Sequence, residues 1–211
     1  MKSIFITSII LAGFAFSMSA AFGQSKFSFS ATVAPFYART KTTVKLPIDS
    51  GFDPNLGGEW TSKSSPKGYW VGLNGRYSFS QKWSASTGLW FSQSKLRTSN
   101  SVSRAHNFAI PVMVSFQTSE RKLSPYFSAG ALWNFASSGR ATIKDIGTVI
   151  FKSDKGDLLR ILPTVGAGVI YHFAPQIALI VQPTFGYAIA PSGVDSHAYQ
   201  LGLNMQLMLK L

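Results

Sequence analysis

The segment Tyr69-Trp70-Val71-Gly72-Leu73-Asn74-Gly75-Arg76-Tyr77-Ser78-Phe79 is followed, after Ser80-Gln81-Lys82, by Trp83-Ser84-Ala85-Ser86-Thr87-Gly88-Leu89-Trp90-Phe91-Ser92. Side chains along a β-strand alternate between two faces. Tyr69, Val71, Leu73, Gly75, Tyr77 and Phe79 therefore share one face, and Trp70, Gly72, Asn74, Arg76 and Ser78 the other. In the next segment Trp83, Ala85, Thr87, Leu89 and Phe91 oppose Ser84, Ser86, Gly88, Trp90 and Ser92. The polar break at 80–82 leaves room only for a tight reversal, so the two segments form an antiparallel hairpin. Its second face is Ser, Gly, Asn and Trp with one Arg and no carboxylate, which suits a lumen better than a water-facing exterior.

The same period of two recurs in both directions along the chain, over 27–37, 108–116, 127–135, 159–173, 177–187 and 199–211. Each run is near the roughly 9 to 11 residues that a tilted strand needs to cross a bilayer. The connections alternate in length: 80–82, 119–122 and 174–176 are short, whereas 39–68, 95–104, 137–157 and 191–196 include the long ones. Short periplasmic turns and longer outer loops are the habit of outer-membrane barrels. The expected fold is all-β, an eight-stranded antiparallel up-and-down transmembrane β-barrel, closed without a free edge. Two aromatic girdles are expected, one including Phe27, Tyr77, Trp83, Phe116 and Tyr171, the other Tyr37, Tyr69, Phe91, Phe108, Trp133 and Tyr187. Pro35, Pro111, Pro163 and Pro183 fall inside these runs and predict bulges or register shifts nearby, because proline deletes a ladder hydrogen bond. A soluble ligand-carrying barrel is the alternative, with its apolar face turned inward.

Composition agrees with a lipid-exposed surface. Charged residues are 13% of the 211, about half the usual share, and aromatic residues are 14%. The net charge of +12 is spread along the chain without a Lys/Arg run or a nucleic-acid-binding motif, so no nucleic-acid partner is expected. With no cysteine there is no disulfide, no thiolate metal site and no lipid-attachment thiol. Lys2, the apolar run 4–16 and the small residues Ala21 and Gly23 read as a signal peptide over 1–23, cleaved before Gln24, leaving 24–211 as the barrel domain.

An eight-stranded barrel is just wide enough for its own side chains, so Trp70, Trp90, Met113, Tyr126 and Leu132 are expected to fill it, with Gly72, Gly88, Gly130, Gly166 and Gly186 making room. Lys26, Arg76, Arg160 and Lys210 point inward on this register, and hydration near the barrel mouths is expected to accommodate them. Outer connections carry the candidate site residues. Lys95, Arg97, Arg104, Arg140 and Lys144 are candidates for contact with lipid phosphate, and Phe52 and Trp60 for contact with a partner. Asp49, Asp53, Asn55 and Glu59 lack the spacing of a calcium loop and read as solvated turn chemistry. Asp195 and His197 form the only plausible acid-base pair, similar to that of omptin-type surface proteases but without the further paired acids such barrels use. No cofactor or metal is called for.

Asn107-Phe108-Ala109-Ile110-Pro111-Val112, followed by Ser124-Pro125-Tyr126-Phe127-Ser128-Ala129-Gly130, resembles two strands of the PorT-like, or porin-family, outer-membrane β-barrel domain proteins. Gln200, Gly202, Met205 and Leu207 are similar to the signal by which a last strand is recognised by the barrel-insertion machinery. The resemblance spans the mature region and implies an outer-membrane location and eight strands; it implies no single activity. The functional expectation is a non-enzymatic barrel presenting surface loops to envelope lipid, a surface protein or a ligand. A surface-facing barrel enzyme acting on lipid or peptide is the alternative.

Overall fold

A computed structural model of the chain describes residues 26–45, 59–98, 101–143, 147–151, 160–188 and 195–211. Its elements are β1 (Phe27–Lys45), β2 (Glu59–Ser64), β3 (Lys67–Ser78), β4 (Trp83–Thr98), β5 (Ser101–Gln117), β6 (Leu123–Ile143), β7 (Gly147–Phe151), β8 (Arg160–His172), β9 (Ile177–Ala188) and β10 (Asp195–Lys210). The order β10-β9-β8-β6-β5-β4-β3-β1 closes on itself through an antiparallel β1–β10 seam, giving eight staves. β2 continues β3 along β1 in the same register past Ser65-Pro66, and β7 pairs with the outer end of β6. Among the described residues no helix is long and apolar enough to cross a membrane.

Alternation sets the two faces as expected. Leu73, Leu89, Val112, Phe127, Val165, Phe185 and Leu207 project outward and exposed, Leu73 at 70%. Their neighbours along the same strands, Asn74, Trp90, Pro111, Tyr126, Thr164, Gly186 and Gln206, are turned in and buried. The apolar side is the outside, which overturns the soluble-carrier alternative: its core would have to lie in the lumen. Aromatic neighbours pair at each end, Phe27 with Tyr77 at 5.0 Å and Trp83 with Phe116 at 4.9 Å on the short-turn side, Phe91 with Phe108 at 5.4 Å on the other. The short turns are stitched to adjacent strands by backbone bonds, Gln117 N to Lys82 O at 2.9 Å and Lys210 N to Gln176 O at 2.8 Å.

Two expectations about the strands need correction. First, much of the outer connections is itself strand: β1 reaches Lys45 and β6 runs for 21 residues, so Lys95, Arg97, Arg104 and Arg140 stand on paired strands instead of loops. Backbone pairing does not require an apolar face, and these polar extensions carry no hydrophobic period to read. Second, the prolines shift no register. At Pro35 the β1–β10 ladder passes from Val33↔Met205 to Phe36↔Gly202, while Pro35 keeps Tyr69 opposite it on β3. Pro111 and Pro183 behave alike, each interrupting the ladder on one side only. A proline lacks one N–H, which pointed to one neighbour, so only that neighbour loses a bond. The register shift on the β5–β6 ladder lies instead between His106 and Asn107, where Ser137 is the extra residue of β6.

A closed, stitched sheet of this kind should resist detergent. The protein in detergent is expected to give a β-rich circular dichroism spectrum and to migrate differently on a gel before and after boiling. A helical spectrum, or one mobility under both conditions, would overturn the barrel.

Candidate functional site

The lumen is filled in tiers. Nearest the outer end, Trp70 and Trp90 pack with Ala34, Ala109, Leu132 and Leu162, and Phe36 leans on them. A polar tier follows around Asn74, whose Nδ2 donates to Thr32 Oγ1 at 2.6 Å and Ser30 Oγ at 3.2 Å and whose Oδ1 accepts from Trp90 Nε1 at 2.7 Å. Below it, Tyr126, Ile170, Ala178, Ile180 and Met208 form a second apolar tier. The void left between these layers is about 30 Å³, room for roughly two waters and not for a diffusion path. Glycines make the fit possible as expected; a Cβ on Gly72 would lie 2.3 Å from Trp90 Cδ1, and one on Gly130 would lie 2.8 Å from Met113 Sδ.

Arg76 departs from its expected place at a hydrated mouth. It is 6% exposed and spans the lumen, its Nη2 donating to Tyr126 Oη at 2.7 Å and to Gln206 Oε1 at 3.4 Å. Lys26 does lie exposed at the mouth, and the Lys210 ammonium is 3.5 Å from His172 Nε2. The side chain of Arg160 lies outside the described residues.

On the outer wall the register brings scattered cations into one line. Lys67 of β3 lies directly opposite Lys95 of β4, Lys95 opposite Arg104 of β5, and Arg104 opposite Arg140 of β6. All four side chains are exposed. Lys67, Lys95 and Arg104 share parity with the outward Tyr69, Phe91 and Phe108, so the line runs on the outer surface just above the aromatic girdle. Arg140 joins it because Ser137 is bulged: counted from the outward Trp133, an uninterrupted strand would turn residue 140 inward. Arg97, two residues beyond Lys95, is exposed as well, and Lys41 and Lys63 form a further facing pair between β1 and β2. Like charges directly opposite one another in a sheet repel. Among the described residues no carboxylate forms an ion pair with this line, so three successive repulsions have no compensating acid among them. Lys67 has an aromatic neighbour, its Nζ 5.9 Å from the Tyr37 ring centre.

The remaining candidates separate. Lys144 and Phe52 lie outside the described residues, as do Asp49, Asp53 and Asn55. Trp60 stands on β2 with Val44 opposite it, and its side chain is not among those described. His197 is exposed and shares a hydrogen bond between its Nδ1 and the Tyr187 hydroxyl; Asp195 pairs through its backbone with Thr43, and its side chain is not described. His197 does not line the lumenal void. Lys67 joins Lys95, Arg104 and Arg140 through the register alone, since only the register shows which of the scattered outer cations face one another.

An eight-stranded closed barrel with an apolar exterior, aromatic girdles and a lumen filled by its own side chains defines an integral outer-membrane β-barrel protein. The family model described as "Outer membrane protein beta-barrel domain" matches residues 12–192, and the chain belongs to that family. Its location is accordingly the outer membrane. Similar solved structures include Neisserial surface protein A, at 16% identity over 90% of this chain and 99% of that one, with a TM-score of 0.49. OprG from Pseudomonas aeruginosa is 12% identical over 90% and 98% of the two chains, with a TM-score of 0.43. The outer membrane protease OmpT from Escherichia coli is 9% identical over 88% and 96%, with a TM-score of 0.47. No curated protein matches the chain.

Proposed function

We propose that this barrel is a non-enzymatic outer-membrane protein whose outer end binds phosphate-bearing lipid of the surrounding leaflet. The observation that carries the reading is the line Lys67, Lys95, Arg104 and Arg140, outward-facing, directly opposed strand to strand and without a carboxylate partner among the described residues. An anionic headgroup at this height removes the repulsion, and its acyl chains run down the apolar wall beneath. Arginine grips a phosphate through two parallel hydrogen bonds and lysine adds a mobile point charge, so the line tolerates headgroups of varied shape. Delivery follows from the signal peptide at 1–23, and insertion from the last-strand pattern at Gln200, Gly202, Met205 and Leu207. Placement among PorT-like barrels within the family rests on the Ile110-Pro111 and Pro125-Tyr126 motifs. Phe52 and Trp60 are proposed as an anchor for a surface protein or ligand.

The test is lipid retention by the purified barrel in mixed micelles containing a phosphorylated glycolipid or its dephosphorylated form. Neutralising Lys95, Arg104 or Arg140 singly is expected to weaken retention about fivefold, the equivalent of roughly 1 kcal/mol per basic residue near an anionic surface. Raising salt should weaken it too, since exposed charges are screened over about 8 Å at physiological ionic strength. Retention indifferent to the phosphate, to salt and to Arg97→Glu with Arg104→Glu would leave contact with the apolar wall as the explanation and sink the proposal.

A further inference from the structure

At the periplasmic end, below the second apolar tier, the barrel opens into a cavity of about 600 Å³. Lys26, Lys82 and Lys210 line it, as do Arg76 and a single acid, Glu120. Lys26 and Lys82 are exposed at the rim, Lys210 is half-buried, and Arg76 is more than nine-tenths buried. A guanidinium stays charged in any protein environment, so burial cannot neutralise Arg76. Its partners, the Tyr126 hydroxyl and the Gln206 amide oxygen, are neutral, and the Tyr126 ring, its centre 5.3 Å away, supplies only a quadrupole. Its Nε is buried with no hydrogen-bond partner at all. A buried charge without a counterion is costly.

The chain itself offers little to offset it. Of eight acids, Asp49, Asp53, Asp145, Asp154 and Asp157 fall in connections between outer strand ends, Glu59 begins β2 and Asp195 begins β10, both at the outer end. Only Glu120 belongs to a periplasmic turn, and among the described residues no ion pair joins it to Arg76. Four cationic side chains therefore face one carboxylate side chain, with Leu211 also at the rim, around a cavity wide enough for a small molecule and closed above by Tyr126, Ile170, Ile180 and Met208.

We propose that this periplasmic vestibule is a binding site for a small phosphate-class dianion, with Arg76 as the floor and Lys26, Lys82 and Lys210 as the rim. The depth of Arg76 selects a small ligand over a folded partner, and the excess of cations favours a doubly charged anion over a monocarboxylate. The site lies at the opposite end from the outer basic line, so either can fail without the other.

The test is titration calorimetry on the folded barrel in neutral detergent, with inorganic phosphate, glycerol phosphate and acetate as separate probes. Saturable binding of at least one phosphate probe, tighter than acetate, is expected, and whichever phosphate binds more tightly identifies a free ion or a phosphomonoester as the source. Arg76→Gln should weaken binding about tenfold or more, as loss of a charge-assisted hydrogen bond at a buried site does. Should that variant fail to fold, Lys26→Gln with Lys82→Gln changes only exposed positions and is expected to weaken binding severalfold, while Glu120→Gln should strengthen it. No saturable phosphate binding by the parent protein, or acetate binding as tightly as phosphate, would overturn the assignment. So would affinity unchanged in the rim variant.

Discussion

Leu73→Arg is expected to destabilise the barrel by about 2–4 kcal/mol, the cost of a basic side chain near the bilayer midplane. Leu73 sits midway along β3, opposite Ala31 on one side and Leu89 on the other, with its side chain directed away from the barrel. In a water-facing barrel the same change would be close to neutral, since exposed positions tolerate charge. Denaturant titration in lipid vesicles, followed by the heat-dependent gel shift, measures the effect. A change below about 0.5 kcal/mol would mean that this wall does not meet lipid. The contrast with Lys95, outward on the neighbouring strand but six residues above Leu89, shows that height on the wall decides what a charge costs.

Gly72→Val is expected to be of similar severity from inside the barrel. Its Cβ would stand 2.3 Å from Trp90 Cδ1 and 2.5 Å from the Leu89 carbonyl oxygen, so the indole must move. Moving it breaks the 2.7 Å bond from Trp90 Nε1 to Asn74 Oδ1 and loosens the contact with Trp70, 6.2 Å away between ring centres. Overpacking a filled core costs about 1–3 kcal/mol and stranding a buried donor a similar amount, so roughly 3 kcal/mol or more is expected in total. Gly75→Ala on the same strand is the control. There the nearest atom to a new Cβ is Phe29 Cε1 at 4.0 Å, on the lipid side, and a change within about 0.5 kcal/mol is expected. Equal losses in both variants would indicate that the strand's backbone, and not the lumen fill, is what the glycines protect.

How much of this was legible beforehand depended on whether residues signal through their own type or through their neighbours. The eight staves were, because residues such as Val71, Leu73 and Tyr77 against Gly72, Asn74 and Arg76 repeat at a period only a strand has. Lumen filling by Trp70, Trp90, Tyr126 and Leu132 followed from the same parity. The ends of the strands did not, since Thr40, Thr43 and Ser62 pair through the backbone without an apolar face to announce them. Prolines misled for a different reason: composition records that an N–H is missing but not that the missing donor pointed to one neighbour. The basic line was visible only as scattered charges, because opposition of Lys67, Lys95, Arg104 and Arg140 is a property of three registers at once. Arg76 was assigned to the right face and the wrong depth. Parity fixes the side of a wall; the pairing of Tyr126 and Gln206 with it across the lumen needed the closed barrel.

The extra residue at Ser137 has a consequence for how such a surface can change. Below it, β6 is read in one phase, with Trp133 directed to lipid; above it the phase is reversed, and Arg140 and Thr142 become the outward residues. Deleting Ser137 would remove only the extra residue and leave Arg140 opposite Arg104, whereas drawing Ser137 into the ladder as an ordinary residue would exchange Arg140 for Ala141 on the outer wall and send a guanidinium toward the lumen. A point substitution edits one site, whereas loss of the bulge with every residue kept swaps the whole repertoire that the stave displays above the membrane. Two chains of nearly the same composition could thus present opposite surfaces to the outside world, according to whether one residue is paired or bulged.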